Sequence, residues 1–152
     1  MPSENCFKVN IDGFRSTPFG KIGAGGVIRD HRGSWISGFQ INIGVGEILD
    51  AEACGMFYGL KLASQLQINN LSIEFDSAVL VKLSSVLILR CTLLALSLMS
   101  ALGATQINHI FKESNMTADA LAKNNVLHKL GLIVFDNPPA HIAQSFLNDL
   151  LF

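Results

Sequence analysis

The beginning of the chain alternates apolar and polar residues with the period of a β-strand. Phe7, Val9 and Ile11 alternate with polar residues up to Asp12, which predicts a strand with one buried face and places Asp12 on the opposite face. The sequence GAGGVIRDHRGSWISGFQINI at residues 23–43 follows. Its apolar runs on either side of Asp30–Gly33 predict a β-hairpin with a turn at those four residues.

A helical pattern replaces the strand pattern at residues 50–67, where small and apolar residues recur at the spacing of one helix face. Asp50 is a suitable N-cap, which would place Glu52 in the first turn. Gly55 and Gly59 are unfavourable inside a helix. They therefore indicate that this helix approaches a neighbouring backbone closely.

Further strands and helices follow in alternation. LSIEFD at residues 71–76 predicts a strand that ends at Asp76, and ATQINHIF at residues 104–111 predicts another. Ser114–Asn115 would then cap a helix that carries Asp119 in its first turn, where the helix dipole favours an anion. A hairpin followed by alternating strands and helices predicts an α/β layered fold.

Length and charge narrow the function classes. With 152 residues the chain suits one domain, and 11 basic against 12 acidic residues give a net charge of -1. A nucleic acid would therefore need a local basic patch. Cys6, Cys54 and Cys91 are odd in number and form no C-x-x-C pair, which argues against a disulfide framework or a structural zinc site. Together with an N-terminus that has no signal-peptide pattern, they predict an intracellular protein, nuclear or cytoplasmic.

The segment Leu83–Leu102 raises the mean hydropathy to +0.39 and is long enough to cross a bilayer. Arg90, four serines and a threonine interrupt its apolar residues, whereas a membrane span tolerates almost no charge. A pair of buried helices would have the same pattern. We therefore expect buried helices and no membrane contact, with a membrane span as the alternative.

Four acids, Asp12, Glu52, Asp76 and Asp119, lie at the ends of predicted elements. A two-metal phosphodiester hydrolase needs several hard oxygen ligands that converge from different elements, because magnesium prefers carboxylates and water. Each acid alone also has a structural interpretation as a turn residue, a helix-start acid or a cap. The sequence motifs around the acids decide between the two interpretations.

These motifs resemble the ribonuclease H superfamily, and specifically the ribonuclease H-like modules of plant proteins and non-LTR retrotransposons. The resemblance implies an α/β fold with a central five-stranded mixed sheet flanked by helices. It also implies one domain over residues 1–152, with a core at about 7–130 and a C-terminal tail at 131–152. The matching segments occur in the family's order: NIDG (10–13), GAGGVIRDHRGSWISGF (23–39), AEACGMFYGLKLA (51–63), IEFDS (73–77), HIFKESNMTADALAK (109–123) and VFDNPPAHIAQSFLNDL (134–150).

The resemblance further implies that the four acids bind two Mg²⁺ ions, with Mn²⁺ as a substitute. Asp12 would bridge both ions, Glu52 and Asp76 would complete one side, and Asp119 would complete the other and orient the water. His109, ten residues before Asp119, could act as the catalytic histidine found in many of these enzymes. Its alternative role is a structural hydrogen bond at the end of a strand.

The predicted function is a magnesium-dependent endonuclease that cleaves the RNA strand of RNA–DNA hybrids, acting as a monomer. Such a duplex is recognised by backbone shape and 2′-hydroxyls rather than by base sequence. The alternative is a catalytically weak or inactive domain, a retrotransposon remnant that binds nucleic acid or protein, and the shortened apolar region after Asp76 favours it. Six basic residues are candidates for substrate contact, each with a solvated surface charge as its alternative: Arg15, Lys21, Arg29, Arg32, Lys112 and Lys123.

Overall fold

The computed structural model describes residues 5–17, 19–76, 97–102, 106–125 and 129–151. Its centre is a mixed sheet in the order β5-β4-β1-β2-β3-β6. The strands β1, β2, β3 and β6 are antiparallel neighbours, whereas β4 is parallel to both β1 and β5. The strand bounds are β1 Phe7–Arg15, β2 Lys21–Arg29, β3 Trp35–Val45, β4 Leu71–Phe75, β5 Gln106–His109 and β6 Gly131–Phe135.

Within the described residues, the α-helices whose two ends are both defined are α1 (Ile48–Gln65), α2 (Met116–Asn125) and α3 (Ala143–Leu150). The α/β architecture predicted from the sequence is confirmed. The predicted hairpin is also present, because β2 and β3 pair antiparallel around residues 30–33. Asp30 fixes that turn by accepting the backbone N–H groups of Arg32 at 2.8 Å and Ser34 at 2.9 Å.

Helix α1 begins earlier than the sequence pattern predicted. Its N-cap is Glu47, whose backbone N–H donates to the Asp50 carboxylate at 3.0 Å. Asp50 is therefore the third residue of a capping box and not the N-cap. The prediction that Glu52 lies in the first turn is consequently wrong by one turn. The helix also ends at Gln65 and not at residue 67.

The close approach that the helical glycines indicated is present between α1 and β1. A Cβ atom added to Gly55 would lie 2.8 Å from Cγ2 of Ile11, which is closer than real side-chain contacts allow. The absence of that atom lets α1 pack directly on the strand. The main apolar core lies between them and includes the fully buried Val9, Ile11, Leu60 and Ile73.

In the part of the chain that the structure describes, the sheet has six strands and not the five that the resemblance implied. The additional strand, β6, lies in the segment predicted as a C-terminal tail, where Phe39 pairs with Val134 and Ile41 with Leu132. The run GLIVF is continuously apolar although β6 is an exposed edge strand. It therefore lacks the alternation by which half-buried strands are detected.

Most of the apolar segment 83–102 lies outside the described residues, so its predicted burial is described only for 97–102. These residues form a helical turn in which Leu102 is buried in the core and Leu98 and Met99 pack against it. Among the residues that the structure describes, no helix is both long enough and apolar enough to cross a bilayer.

Candidate active site

A cleft of about 670 Å³ lies beside the C-terminal parts of β1 and β4, and all four predicted acids line it. Asp12 comes from β1, Glu52 from α1, Asp76 from the residue after β4, and Asp119 from the first turn of α2. Its walls also contain Gly13, Phe14, Arg15, Ile48, Lys112 and Lys123. Four elements that are far apart in the sequence therefore contribute carboxylates to one cleft.

Strand register places two of these acids side by side. β1 and β4 are parallel neighbours, and Ile11 pairs with Phe75. Asp12 and Asp76 each follow the paired residue by one position. Because parallel strands present corresponding ends at the same edge of a sheet, the two carboxyl groups reach the same end.

Gly13 brings the third acid close to Asp12. A Cβ atom at Gly13 would lie 2.7 Å from the backbone nitrogen of Glu52 and 2.8 Å from its Cγ atom. Only a residue without a side chain leaves room for α1 at this point. The glycine of the NIDG motif therefore allows Glu52 to lie against the end of β1 beside Asp12.

Asn115 connects the helix that carries the fourth acid to the same strand. Its side chain is completely buried and donates to the Ile11 carbonyl oxygen at 2.9 Å. The backbone carbonyl oxygen of Asn115 accepts the backbone N–H of Asp119 at 3.1 Å. The sequence indicated only that Asn115 caps a helix. Its bond to β1, which fixes the beginning of α2 next to Asp12, had no local signal.

The electrostatics of the cleft are unfavourable for four ionised acids. Burial raises the pKa of Asp12 to about 8, and the charge of Asp76, a hydrogen bond with Asp119 and the charges of Asp119 and Glu52 add to the increase. Burial also raises the pKa of Asp76, an effect opposed by the Asn115 amide and the Lys112 ammonium. Mutual repulsion and desolvation of this kind favour either protonation or a bound cation.

The donor chemistry of the cleft fits magnesium, which prefers hard carboxylate oxygens. As the side chains lie, however, no three His, Cys, Asp or Glu residues of the described chain are gathered closely enough to hold a metal ion. One of the four acids already has a cationic partner, because Lys123 Nζ lies 2.8 Å from Asp119 Oδ2. The cleft thus supplies suitable ligands without a preassembled site.

Three of the six candidate basic residues line the cleft: Arg15, Lys112 and Lys123. Arg15 is held in place by its Nε donation to the Gly46 carbonyl at 2.8 Å. Lys21 and Arg32 are exposed at opposite ends of the β2 region and do not line it.

Arg29 departs from the expectation of a substrate-binding residue. It is buried, and its guanidinium lies 2.7 Å from the Asp149 carboxylate. A buried ion pair of this kind leaves no cationic surface for a phosphate.

His109 ends β5, and its Nε2 atom lies 3.0 Å from the backbone carbonyl oxygen of Asp76. It does not line the cleft. This placement matches the alternative interpretation from the sequence, a structural hydrogen bond at the end of a strand. The bond nevertheless connects the histidine to the residue that carries a cleft carboxylate.

A family model described as reverse transcriptase-like matches residues 10–125 of the chain. The chain belongs to this family, a member of the ribonuclease H superfamily. A curated relative from Arabidopsis thaliana, provisionally named a ribonuclease H protein, is 33% identical over 99% of the chain. The chain spans only 25% of the length of that relative.

Solved structures share this ribonuclease H fold. The N-terminal ribonuclease H domain of a Mycobacterium tuberculosis protein superposes with a TM-score of 0.73 at 23% identity, covering 79% of this chain and 92% of that one. LC11 ribonuclease H1, solved in complex with an RNA/DNA hybrid, gives a TM-score of 0.72 at 18% identity, covering 79% and 96%. The ribonuclease H1 of the archaeon Halobacterium salinarum gives 0.71 at 21% identity, covering 78% and 95%.

Proposed function

We propose that this ribonuclease H superfamily domain is a magnesium-dependent endonuclease that cleaves the RNA strand of RNA–DNA hybrids. The observation that carries the proposal is the delivery of four carboxylates by four separate elements to one cleft. The raised pKa of Asp12 supports it, because a structural acid is normally given a counter-charge. LC11 ribonuclease H1, which shares the fold, was solved with a hybrid bound.

Within the proposal, each acid has a distinct role. Asp12, whose pKa is raised by the charges of all three other acids, would be the central metal ligand. Glu52, Asp76 and Asp119 would supply the other ligands, and Asp119 would also orient the attacking water. When bound, magnesium supplies Lewis-acid activation of the phosphodiester and of that water. Mn²⁺ should substitute, because it accepts the same oxygen ligands.

The basic residues of the cleft would hold the substrate backbone. Arg15, Lys112 and Lys123 lie beside the acids and are placed to contact phosphates that flank the reacting one. Lys21 follows the turn after Arg15 and would extend this contact at the beginning of β2. We leave Arg32 out because it lies at the other end of that strand, and Arg29 because it is buried.

The test is cleavage of an RNA–DNA hybrid labelled on the RNA strand, with RNA duplex and DNA duplex of the same sequence as controls. We expect RNA-strand products in Mg²⁺, none in excess chelator, and none from either control duplex. Cleavage of the DNA strand, or equal cleavage in chelator, would contradict the proposal.

A second candidate function is a non-catalytic domain that binds nucleic acid or protein. The specific observation in its favour is that the described carboxylates are not gathered into a metal site and that Lys123 pairs with Asp119. A protein that neither cleaves the hybrid nor gains thermal stability at any concentration of Mg²⁺ or Mn²⁺ would favour this candidate.

A further inference from the structure

The C-terminal helix α3 ends against the beginning of α2, the helix that carries Asp119. The side chain of Asp149 is fully buried there. Its Oδ1 accepts the backbone N–H of Met116 at 2.9 Å and its Oδ2 accepts that of Thr117 at 2.9 Å. The first N–H groups of a helix have no partner within the helix. Asp149 therefore caps α2 from more than thirty residues downstream.

A buried cation neutralises this cap. Arg29 Nη2 lies 2.7 Å from Asp149 Oδ2 and 3.2 Å from the Thr117 hydroxyl. The guanidinium also lies over the Phe146 ring, 4.9 Å from its centre, and that ring contacts Trp35 edge to face at 5.5 Å. Helix α3 is thus fixed to the β2–β3 hairpin by side chains that surround the cap.

The capped N–H groups are two and three residues before Asp119. On the other side of the same turn, Asn115 bonds to the carbonyl of Ile11, the residue before Asp12. The first turn of α2 is therefore held by β1 on one side and by α3 on the other. The match to the reverse transcriptase-like family ends at residue 125. The attachment through α3 therefore comes from a part of the chain beyond that match.

We infer that Asp149 is a positioning residue for Asp119, and that α3 thereby belongs to the catalytic unit. Asp149 does not touch the reacting atoms. It fixes the first turn of α2 and so the distance between the Asp119 carboxylate and Asp12. The part of this inference that concerns cleavage by Asp119 rests on the proposed function. The ordering of α2 by Asp149 can be measured whether or not the protein cleaves a hybrid.

A simple Asp149→Ala variant would leave Arg29 as an unpaired buried charge and could fail to fold for that reason alone. We therefore design a series in an Arg29→Met background, which keeps the apolar stem and removes the cation, while the two backbone N–H groups of α2 still stabilise the Asp149 carboxylate. The background variant retains both cap bonds, adding Asp149→Asn leaves one acceptor oxygen, and adding Asp149→Ala removes both bonds. Ile68→Ala, a core truncation after α1, serves as a control for lost stability without any change at α2.

Three readouts are taken well below the melting temperature of each variant. They are hydrogen exchange at the Met116 and Thr117 amides, the concentration of Mg²⁺ at half-maximal thermal stabilisation, and kcat and KM for hybrid cleavage. From the background to the Asp149→Ala member, we expect at least about tenfold faster amide exchange. We expect kcat to fall by about tenfold to a hundredfold, as for a displaced catalytic group, with KM within about threefold. The Asp149→Asn member should be intermediate, and Ile68→Ala should keep the wild-type kcat.

Unchanged exchange at Met116 and Thr117 across the series would overturn the inference, whatever the activity. So would faster exchange with an unchanged kcat and magnesium midpoint, because the cap would then be structural only. If the wild-type protein cleaves no hybrid, the proposed function fails. The exchange series and the magnesium midpoint then decide on the positioning role separately.

Discussion

Two buried aspartates in this molecule have opposite surroundings. Asp149 receives a guanidinium and two backbone N–H groups, each within 2.9 Å. Asp12 is equally buried and accepts the N–H of Gly13 at 3.0 Å, but its charged neighbours are three other acids. The first carboxylate has the partners that burial of a charge requires, whereas the second lies where its charge is opposed.

The difference separates an acid with structural partners from one that we propose to be functional. Asp149 connects α3, α2 and the β2–β3 hairpin, so its partners stabilise the fold. The acids around Asp12 oppose its ionisation, and this arrangement is expected where a site receives a cation. Variants at the two places should therefore differ in which property they change, stability or activity.

The largest expected effect is on cleavage. Asp76→Asn keeps the shape of the side chain but removes a carboxylate that we propose as a metal ligand. We expect kcat for hybrid cleavage to fall by about two to three orders of magnitude, as for the loss of one electrostatic group in a preorganised site, while the fold persists. The assay compares initial rates at saturating Mg²⁺.

Glu74→Gln is the matched control for that variant. Glu74 lies two residues earlier on β4, outside the cleft, and pairs with Lys8 at 2.9 Å. It should keep the wild-type rate. Equal rates for Asp76→Asn and the wild type would exclude Asp76 from the reaction and undermine the four-acid site.

The second effect is on stability and its pH dependence. The raised pKa of Asp12 means that the folded protein binds a proton up to pH of about 8, whereas an unfolded aspartate releases it near 3.8. The metal-free protein should therefore lose stability as the pH rises from about 4 to about 8. Asp12→Asn should remove this part of the slope and raise the free energy of unfolding at pH 8, by at most several kcal/mol.

Chemical denaturation in chelator at pH 5, 6.5 and 8 measures this effect. Added Mg²⁺ should stabilise the wild type most at the highest pH, because there it neutralises carboxylates that are no longer protonated. A wild-type protein that is more stable at pH 8 than at pH 5 in chelator, with Asp12→Asn following the same curve, would contradict the electrostatic account.

Local patterns explain why the acids of the cleft were predictable. Asp12 lies within β1 and Asp76 directly follows β4, two strands whose alternation is visible in the sequence, and parallel pairing then brings the two acids together. The Asp149 cap depends on a contact with Met116 and Thr117 across a long sequence separation, and no periodicity encodes such a pair.

The burial of Arg29 had no signal for the same reason, since its partner lies 120 positions away. Strand β6 was missed because its sequence, GLIVF, is continuously apolar and does not show the alternation of a half-buried strand. The family motifs therefore predicted which acids line the cleft better than they predicted what holds the helix of Asp119 in place.

A smaller effect is expected at His109. Its ring Nε2–H donates one hydrogen bond to the backbone carbonyl oxygen of Asp76, and the ring lies outside the cleft. Loss of a single hydrogen bond of about 1 kcal/mol corresponds to about a fivefold change, so His109→Ala should lower kcat by about that factor. A loss of a hundredfold or more in single-turnover rate would instead assign His109 a direct part in catalysis.

The smallest effect is expected at Lys123, the cation that accompanies one of the acids. Its ammonium lies 2.8 Å from the Asp119 carboxylate and 6.0 Å from the centre of the Phe14 ring, and its side chain is about half exposed. An exposed pair at this helical spacing contributes about 0.3–0.5 kcal/mol. A metal ion that must displace Lys123 from Asp119 therefore binds about twofold more weakly. Lys123→Met should therefore lower the Mg²⁺ concentration at half-maximal thermal stabilisation by about twofold in the absence of nucleic acid.

The matched control is Lys129→Met, at an exposed lysine outside the cleft, and it should leave that midpoint unchanged. A higher midpoint for Lys123→Met would mean that the lysine assists metal binding. Lys123 would then have to be counted as a member of the acid cluster in the comparison with Asp149.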